Sequence, residues 1–578
     1  MSGKDKVLVL GDDTRSFLTT VRSLGRKGIE VHVAPFDFNA PTLSSRHISA
    51  IHHLPYYLDG GAGWLEAITR LVRTQAFSLI IPCDERGLLP LCLHRDTLGA
   101  LCSLAIPSPD PLEIFFDKVK TRQLAERCGV PVANGRMLQS DDTAGSIAAS
   151  LNLPVVVKHP KSYALPELYV RTSTRIVPDQ TSLEAWLANR VAGCEPILLE
   201  AMFPGFGIGV SVLCHEGTIL QAFEHHRANE LDGSSYYRKS APLDPERLAA
   251  VGRMTAATAY TGLAMFEFKV DERSGAWILI EVNARPWGSL PLPVSIGVDF
   301  PYRLYRLMVH GERTPQVPYP IGHYGRNLVL DLWQARKRAA TLPARPGQLL
   351  GHWAGWLWGF HRLLLGREHH DVGVWNDPRP GLRELGELVL TQMRSLKTRI
   401  RGPVAPTKAL ERRMQEISAS PAETIRILFV CQGNINRSSY AEQKSRQIFA
   451  TRSARYSFDS AGMLPRNRRP SPAVAISAAT RHGVDLTAHL SRHATAELLS
   501  QAHLIIAFDH INLRSIAARY PELKGQVFLL GEAGDAGDQV EIPDPEGKSE
   551  ATFLTTFQRI DASLERLARV AFSNQRNR

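Results

Sequence analysis

Cys431 and Arg437 are separated by five residues in the segment ILFVCQGNINRSSYAEQ, a spacing that lets a loop curl around a tetrahedral oxyanion. Gly433 and Asn434 inside the loop tolerate unusual backbone angles. A hydrophobic run precedes Cys431 and helical spacing follows Arg437, so the loop ends at a helix N-terminus. Inward N–H groups and the positive helix end favour an anion there, and Arg437 can clamp two of its oxygens. The same field favours the thiolate of Cys431, the form of sulfur that acts as a nucleophile. Attack on phosphorus gives a phosphocysteine and requires no metal. The leaving oxygen still needs a proton. IPDPEG supplies Asp544 between Pro543 and Pro545, able to protonate the leaving group and then, as carboxylate, to activate water. The Ser438 hydroxyl is suited to hydrogen-bond the thiolate and ease its departure in that second step.

A second set of residues is dispersed. Lys118 lies on a helical stretch, FFDKVKT, and Lys158 ends the strand-like PVVVK. Glu200 closes ILLE just before Phe203-Pro204-Gly205, Glu267 lies in AMFEFK, and Glu281 and Asn283 lie in ILIEVNARP. On a strand, positions 281 and 283 face the same side, so their oxygens can share a metal. Glu267 on a neighbouring strand completes a hard-oxygen set suited to Mg²⁺ beside phosphates. Lys118 and Lys158 would neutralise phosphate charge, and Arg285 could stabilise charge on a transferred acyl phosphate. Each residue alone is ordinary, since a strand-end lysine is usually a solvated charge. Their order carries the reading.

The elements that must hold these residues follow from periodicity. KVLVLGDD reads as a buried strand, TRSFLTTVRSLGRKG as a helix and EVHVAP as a second strand, a βαβ unit with a parallel sheet to which SLIIPCDE adds. A helix is expected from Asp110 to Pro131. Strands are expected at PVVVKHP, ILLEAMFPG, GVSVLCHEG and TILQAFEHH, then a helix from Leu248 to Tyr260 and the strand pair AMFEFKVD and AWILIEVNARP. From Tyr324 to about Ala422 the chain is rich in Trp, Arg and Pro with little strand signal. Within it, LLGHWAGWLWGFHRLLLG reads either as a core or docking helix or as a membrane-surface helix. MRSLKTRIRGPVAPTKALERRMQE reads as a linker, and a fresh βαβ pattern opens at IRILFVCQGN.

The 578 residues exceed one hydrophobic core, so two to four domains are expected. The opening MSGKDKVLVLGDD suits a buried strand and not a signal peptide, and no apolar run approaches the roughly 20 residues needed to span a bilayer. Seven scattered cysteines suit reduced thiols in a cytoplasmic protein. A net charge of +11 brings no zinc-ligand pattern or ribonucleoprotein signature. It fits anionic small substrates, phosphoproteins or a membrane surface, and no sequence-specific nucleic acid is expected.

The ordered set VCxGNxxRS, FDSAG, GVDLTAHLSR, LIIAFD and the late Asp-Pro resembles the low-molecular-weight protein tyrosine phosphatases over nearly all of residues 424–570. The resemblance implies a four-stranded parallel sheet flanked by helices. It carries the nucleophile onto Cys431, phosphate binding onto Arg437 and the general acid onto Asp544, with Asn434 and Ser438 supporting the loop. Asn436 and Ser439 stand at the Cys and Pro positions of the family's CxGNxCRSP. MLPRNRRPSP lacks an aromatic wall, and Glu546-Gly547 replaces a tyrosine pair. Arsenate reductase shares this fold, but Cys431 is the only cysteine after Cys214.

Residues 1–320 resemble the ATP-grasp superfamily with its preceding Rossmann-like domain, and the EFK and IEVNARPW segments are similar to carboxylate–amine ligases. That likeness implies ATP and Mg²⁺ between two α+β lobes, with Glu200 and the segment Ala201 to Phe203 at the adenine hinge. It also implies an acyl phosphate attacked by an amine. The glycine-rich loop expected after Lys158 reads HPKSYALPELYVRTST, without glycine, while HHRANELDGSSYYRKS is expected to line a substrate pocket.

The expected fold class is therefore α/β multidomain: a Rossmann-like domain (1–110), ATP-grasp lobes (111–323), a helical linker region (324–423) and a four-stranded phosphatase domain (424–578). The expected function joins a phosphomonoesterase to a ligase of small carboxylates and amines. The alternatives are a nucleotide-binding sensor or scaffold that regulates the phosphatase, and an arsenate reductase assisted by glutaredoxin.

Overall fold

A computed structural model describes residues 5–165, 168–169, 171–188, 196–231, 234–342, 345–401, 408–450, 454–523, 525–534 and 539–573. The chain forms two compact units, the first of Met1–Phe36 and Ala40–Gly386, the second of Asp37–Asn39 and Glu387–Arg578.

The first unit opens with a five-stranded parallel sheet of β1 (Lys6–Leu10), β2 (Glu30–Ala34), β3 (Ala50–Ile51), β4 (Leu79–Pro82) and β5 (Ser103–Leu104), in the order β3-β2-β1-β4-β5. The alternation in KVLVL explains its position. Val7 and Val9 pack with Phe17, Val21 and Leu24 of the helix Ser16–Arg26, while Leu8 and Leu10 pack on the other face with Trp64 and Ile68. A strand buried on both faces belongs in the middle of a parallel sheet.

Four short strands form a small antiparallel sheet in the order β6-β9-β7-β8: β6 (Gly135–Met137), β7 (Val155–Lys158), β8 (Arg175–Val177) and β9 (Leu198–Ala201). A seven-stranded sheet follows, built from β10 (Phe206–His215), β11 (Thr218–Leu231), β12 (Ser234–Ala241), β13 (Gly262–Val270), β14 (Trp277–Asn283), β15 (Tyr324–Arg326) and β16 (Glu368–His370). Its order is β14-β13-β10-β11-β12-β15-β16, and only β15 and β16 run parallel.

Several expectations need correction. The helix expected from Asp110 to Pro131 is two helices, Pro109–Phe115 and Lys118–Arg127. Asp117 interrupts them in an extended conformation, and its carboxylate accepts hydrogen bonds from the N–H groups of Val119 and Lys120 as an N-cap. HHRANELDGSSYYRKS is the β11–β12 hairpin, with 232–233 outside the described residues. The stretch after Tyr324 is not a helical linker throughout. β15 and β16 extend the large sheet, held by the buried Arg326, which donates to Glu368 at 2.7 Å and to Asp331 at 2.6 Å. Part of the linker expected around Pro403 and Pro406 lies outside the described residues.

The second unit carries the expected four-stranded parallel sheet: β17 (Ile425–Cys431), β18 (Tyr456–Gly462), β19 (Leu504–Ala507) and β20 (Val527–Leu529), in the order β18-β17-β19-β20. Ile427, Phe429 and Cys431 face the layer of Tyr440, Phe557 and Leu564, while Leu428 and Val430 face Ile516 and Leu529. The helix Ala409–Ala419 adds Leu410, Met414 and Ile417 to the first of these layers, so this core begins before residue 424. Among the described residues no helix is long and apolar enough to cross a membrane.

Candidate active site

β17 ends at Cys431 and the helix Arg437–Ala450 begins six positions later, so the strand delivers the sulfur to the helix N-terminus. Cys431 is only 2% exposed, yet polar groups ring its sulfur. Ser438 Oγ lies 3.0 Å from Sγ, and the Asn434 N–H donates to Sγ at 3.2 Å. Asn434 holds the turn at φ +51°, a left-handed conformation that asparagine tolerates. Its side chain pins the loop on three sides: Nδ2 donates to Ser438 Oγ at 3.0 Å and to Ser460 Oγ at 2.8 Å, and Oδ1 accepts from the Arg492 N–H at 2.9 Å. Gly462 lets β18 approach, because a Cβ there would stand 3.0 Å from the loop backbone at Gly433 and Asn434.

Arg437 is buried and triply anchored. Nη1 donates to Asp509 at 2.8 Å and to the Ile542 carbonyl at 2.9 Å, and Nη2 donates to Asp544 at 2.7 Å. Burial works against its charge, but Cys431, Asp544 and Asp509 outweigh burial and raise its pKa. The structure thus brings together all five residues expected at this site. Sequence reasoning assigned no role to Asp509, Ser460 or Arg492, although FDSAG, HLSR and LIIAFD contain them. Ser460 donates in turn to Glu442 at 2.5 Å, and Asn436 Nδ2 donates to Glu546 at 2.7 Å across to the Asp544 loop.

Asn436 occupies the position where a resolving thiol would stand, and no other cysteine follows Cys214 in the sequence. Peroxide treatment is therefore expected to drive Cys431 past the sulfenic acid, a step dithiothreitol does not reverse. Activity should stay below about a tenth of its starting value after reduction, and Asn436→Cys should restore recovery. Full recovery in the unsubstituted chain would contradict this.

In the first unit, a cavity of about 310 Å³ is lined by Lys118, Glu281, Asn283 and Arg285, joined by Glu85 and Arg171. Lys118 begins its helix and its Nζ donates to Ser162 at 2.8 Å. Burial lowers the Lys118 pKa, and Glu281 opposes that shift. Lys158 and Glu200, on neighbouring strands β7 and β9, pair at 2.5 Å, and Arg122 reaches Glu200 at 3.2 Å. Arg285 donates to Glu85 at 2.8 Å. Lys158, Glu200, Ala201, Phe203 and Glu267 do not line the cavity, although Lys158 lowers the Glu281 pKa. The Ala201–Phe203 segment is fixed where Ala201 N donates to Asn134 O at 2.8 Å and Lys269 reaches Phe203 O at 3.3 Å. Gly205 beyond it has φ +112°, and a Cβ there would fall 1.9 Å from the Val270 carbonyl oxygen, so only glycine fits.

Glu267 and Glu281 stand opposite each other on β13 and β14, and Asn283 Nδ2 donates to both, at 3.1 and 3.3 Å. Burial, with the neighbouring Glu281 charge adding to it, pushes Glu267 up to about 7 although Arg227 pairs with it. Lys118 and Lys158 instead hold Glu281 below its ordinary value despite burial. Two crowded carboxylates and a carboxamide, whose flip presents its oxygen, fit a hard cation such as Mg²⁺. Among the described residues no three His, Cys, Asp or Glu side chains form a metal cluster, so such a cation would depend on Asn283.

Because Glu267 titrates near 7, protons compete with a cation below that pH and not above it. Mn²⁺ affinity, read from loss of the free-ion electron-spin signal, should fall up to about tenfold per pH unit below 7 and level off above it. A flat profile between pH 6 and 8 would remove Glu267 from the cation set.

Residues 426–577 match the family model described as "Low molecular weight phosphotyrosine protein phosphatase". The low molecular weight protein-tyrosine-phosphatase Etp of Escherichia coli (strain K12) is 33% identical over 143 residues, covering 25% of this chain and 92% of that protein. Wzb of the same strain is 29% identical over 149 residues, 26% of this chain and 97% of that protein. A solved biotin carboxylase domain of Hydrogenobacter thermophilus 2-oxoglutarate carboxylase, in complex with ADP and magnesium, superposes with a TM-score of 0.44 at 20% identity, over 55% of this chain and 73% of that one. With the Cys431 loop, its arginine and its Asp-Pro loop assembled as described, the chain belongs, through residues 426–577, to the low molecular weight phosphotyrosine protein phosphatase family.

Proposed function

We propose that the chain is a bifunctional enzyme whose second unit hydrolyses phosphomonoesters, phosphotyrosine in proteins among them. The sulfur carries this reading: Cys431 Sγ lies between the Ser438 hydroxyl and the Asn434 N–H, with Arg437 alongside. The phosphate dianion takes the Arg437 guanidinium that Asp544 occupies in the free chain. The Cys431 thiolate attacks phosphorus, the P–O bond breaks, and the Asp544 carboxylic acid gives its proton to the leaving oxygen. In the second half, the Asp544 carboxylate takes a proton from water as that water attacks the phosphocysteine. The S–P electron pair returns to sulfur, and the Ser438 hydroxyl stabilises the thiolate.

The first unit is proposed as an ATP-grasp ligase that uses MgATP to join a small carboxylate to an amine. Its support is the cavity holding Lys118, Glu281, Asn283 and Arg285 on one wall system. Lys161 and Arg171 of the glycine-free segment also line it, so side-chain cations stand where backbone N–H groups of a glycine-rich loop would otherwise cover phosphate.

Two measurements test the two halves separately. Hydrolysis of p-nitrophenyl phosphate in the presence of EDTA is expected, and its absence would defeat the phosphatase reading. ADP release should depend on an added carboxylate and amine in a screen across amino acids and acidic sugars. ATP binding without turnover on any pair would favour a nucleotide sensor. Arsenate reduction supported by glutaredoxin, without phosphate-ester hydrolysis, would turn the second unit into a reductase.

A further inference from the structure

The first unit carries an exposed apolar surface that neither proposed activity uses. The helix Pro346–Trp358 has two distinct faces. On its inner face, Trp356 Nε1 donates to Asp331 at 2.9 Å and packs edge-on against Phe360, whose ring lies under Arg326. His352 completes that attachment, with Nε2 lying 2.9 Å from the Ala335 carbonyl oxygen. The outer face and the short helix His361–Leu364 leave Leu357 at 62%, Trp358 at 74%, Leu364 at 88% and Leu365 at 66% exposure. Scattered exposed leucines are ordinary, but four such side chains within nine residues form a patch that water solvates poorly.

The charge of the segment that carries it says what covers it. Between Asp331 and Glu368 there is no acidic residue, while Arg336, Lys337, Arg338, Arg345, Arg362 and Arg367 all fall in that interval. A tryptophan–leucine face carried by so basic a segment matches an anionic lipid surface: apolar groups enter the headgroup boundary and cations of the segment meet lipid phosphates. A second copy of the chain is a poor occupant, because a symmetric dimer through this face would bring two copies of the same acid-free, basic segment together. No described helix is both long and apolar enough to cross the bilayer, so the contact inferred is one that lies on it. We infer that the Trp358–Leu365 face docks this protein onto anionic membranes.

Flotation of the full chain with phosphatidylcholine vesicles, with and without about 30% phosphatidylglycerol, tests the inference. Binding to the anionic vesicles should exceed binding to the neutral ones by about tenfold or more and should be released by ~0.5 M NaCl. The double variant Trp358→Ser/Leu364→Ser should lose at least about tenfold in binding while keeping its circular dichroism spectrum and p-nitrophenyl phosphate turnover. Arg338→Glu/Arg345→Glu should lose anionic selectivity alone. No flotation, equal flotation with both vesicle types, or unchanged binding by the double variant would overturn the inference. So would a dimer in sedimentation that the double variant dissociates, since that assigns the patch to a second copy.

Discussion

Cys431→Ser is expected to lower the turnover of p-nitrophenyl phosphate by about 10⁴-fold or more, a loss of about 5 kcal/mol of transition-state stabilisation. The substitution barely alters size, and the Ser438 and Asn434 contacts that now serve the sulfur are available to an oxygen. What disappears is the sulfur nucleophile, because an alcohol is far harder to deprotonate than a thiol. Phosphate binding should survive, since Arg437 keeps its Asp509 and Ile542 anchors. Orthovanadate or a phosphopeptide should therefore bind the variant within about threefold of the unsubstituted chain, which separates lost chemistry from a lost fold. Asp544→Asn provides the internal contrast. Its loss should be only about 10²- to 10⁴-fold on phenyl phosphate and much smaller on p-nitrophenyl phosphate, whose leaving group departs without a proton. Residual turnover in Cys431→Ser above about a hundredth of the starting rate would mean that another group attacks phosphorus.

The phosphatase site was readable in the sequence because its chemistry is local. Cysteine, loop, arginine and serine occupy eight consecutive positions, 431–438, and strand and helix periodicity bracket them. Asp544 was found because prolines mark its loop. The supports were not readable because they come from distant strands meeting by register. Asp509 reaches Arg437 from 72 residues away, and in the sequence it reads as the ordinary end of a strand. In the first unit, the Glu267, Glu281 and Asn283 cluster followed from strand alternation and a pairing assumption that the β13–β14 register supports. Arg227, which pairs with Glu267, left no signal: its partnership depends on how β11 lies in the sheet. β15 and β16 were missed because three-residue strands carry no period to detect. The helix break at Asp117 escaped because an aspartate within a helical pattern is common, and only its extended backbone makes it a cap. Strands β1, β2, β4, β7, β9, β10, β11, β13 and β14 were legible for the opposite reason: apolar runs with buried faces leave few alternatives.

Glu281→Gln is expected to lower carboxylate-dependent ADP release by about 10²- to 10³-fold, which is about 3–4 kcal/mol, while leaving metal-free nucleotide binding intact or tighter. The substitution preserves shape and the hydrogen bond with Asn283, so it removes one charge and little else. Lys118 and Lys158 hold Glu281 below its ordinary value despite burial, whereas burial pushes Glu267 up to about 7, so that it carries a proton about half the time near pH 7. The persistent carboxylate in this pair is therefore residue 281, and a divalent cation beside phosphates would be neutralised chiefly by it. Without that charge the two lysines are less balanced, so a nucleotide triphosphate should bind in EDTA at least as well as before. Lys118→Ala should give the opposite pattern: nucleotide affinity falls in EDTA and with Mg²⁺ alike, because a phosphate partner has gone and the cation set remains. A fluorescent ATP analogue titrated with and without Mg²⁺, alongside ADP release, distinguishes the two variants. If Glu281→Gln turned over within about threefold of the unsubstituted chain, or if both variants lost binding equally, the cation would have to be held elsewhere.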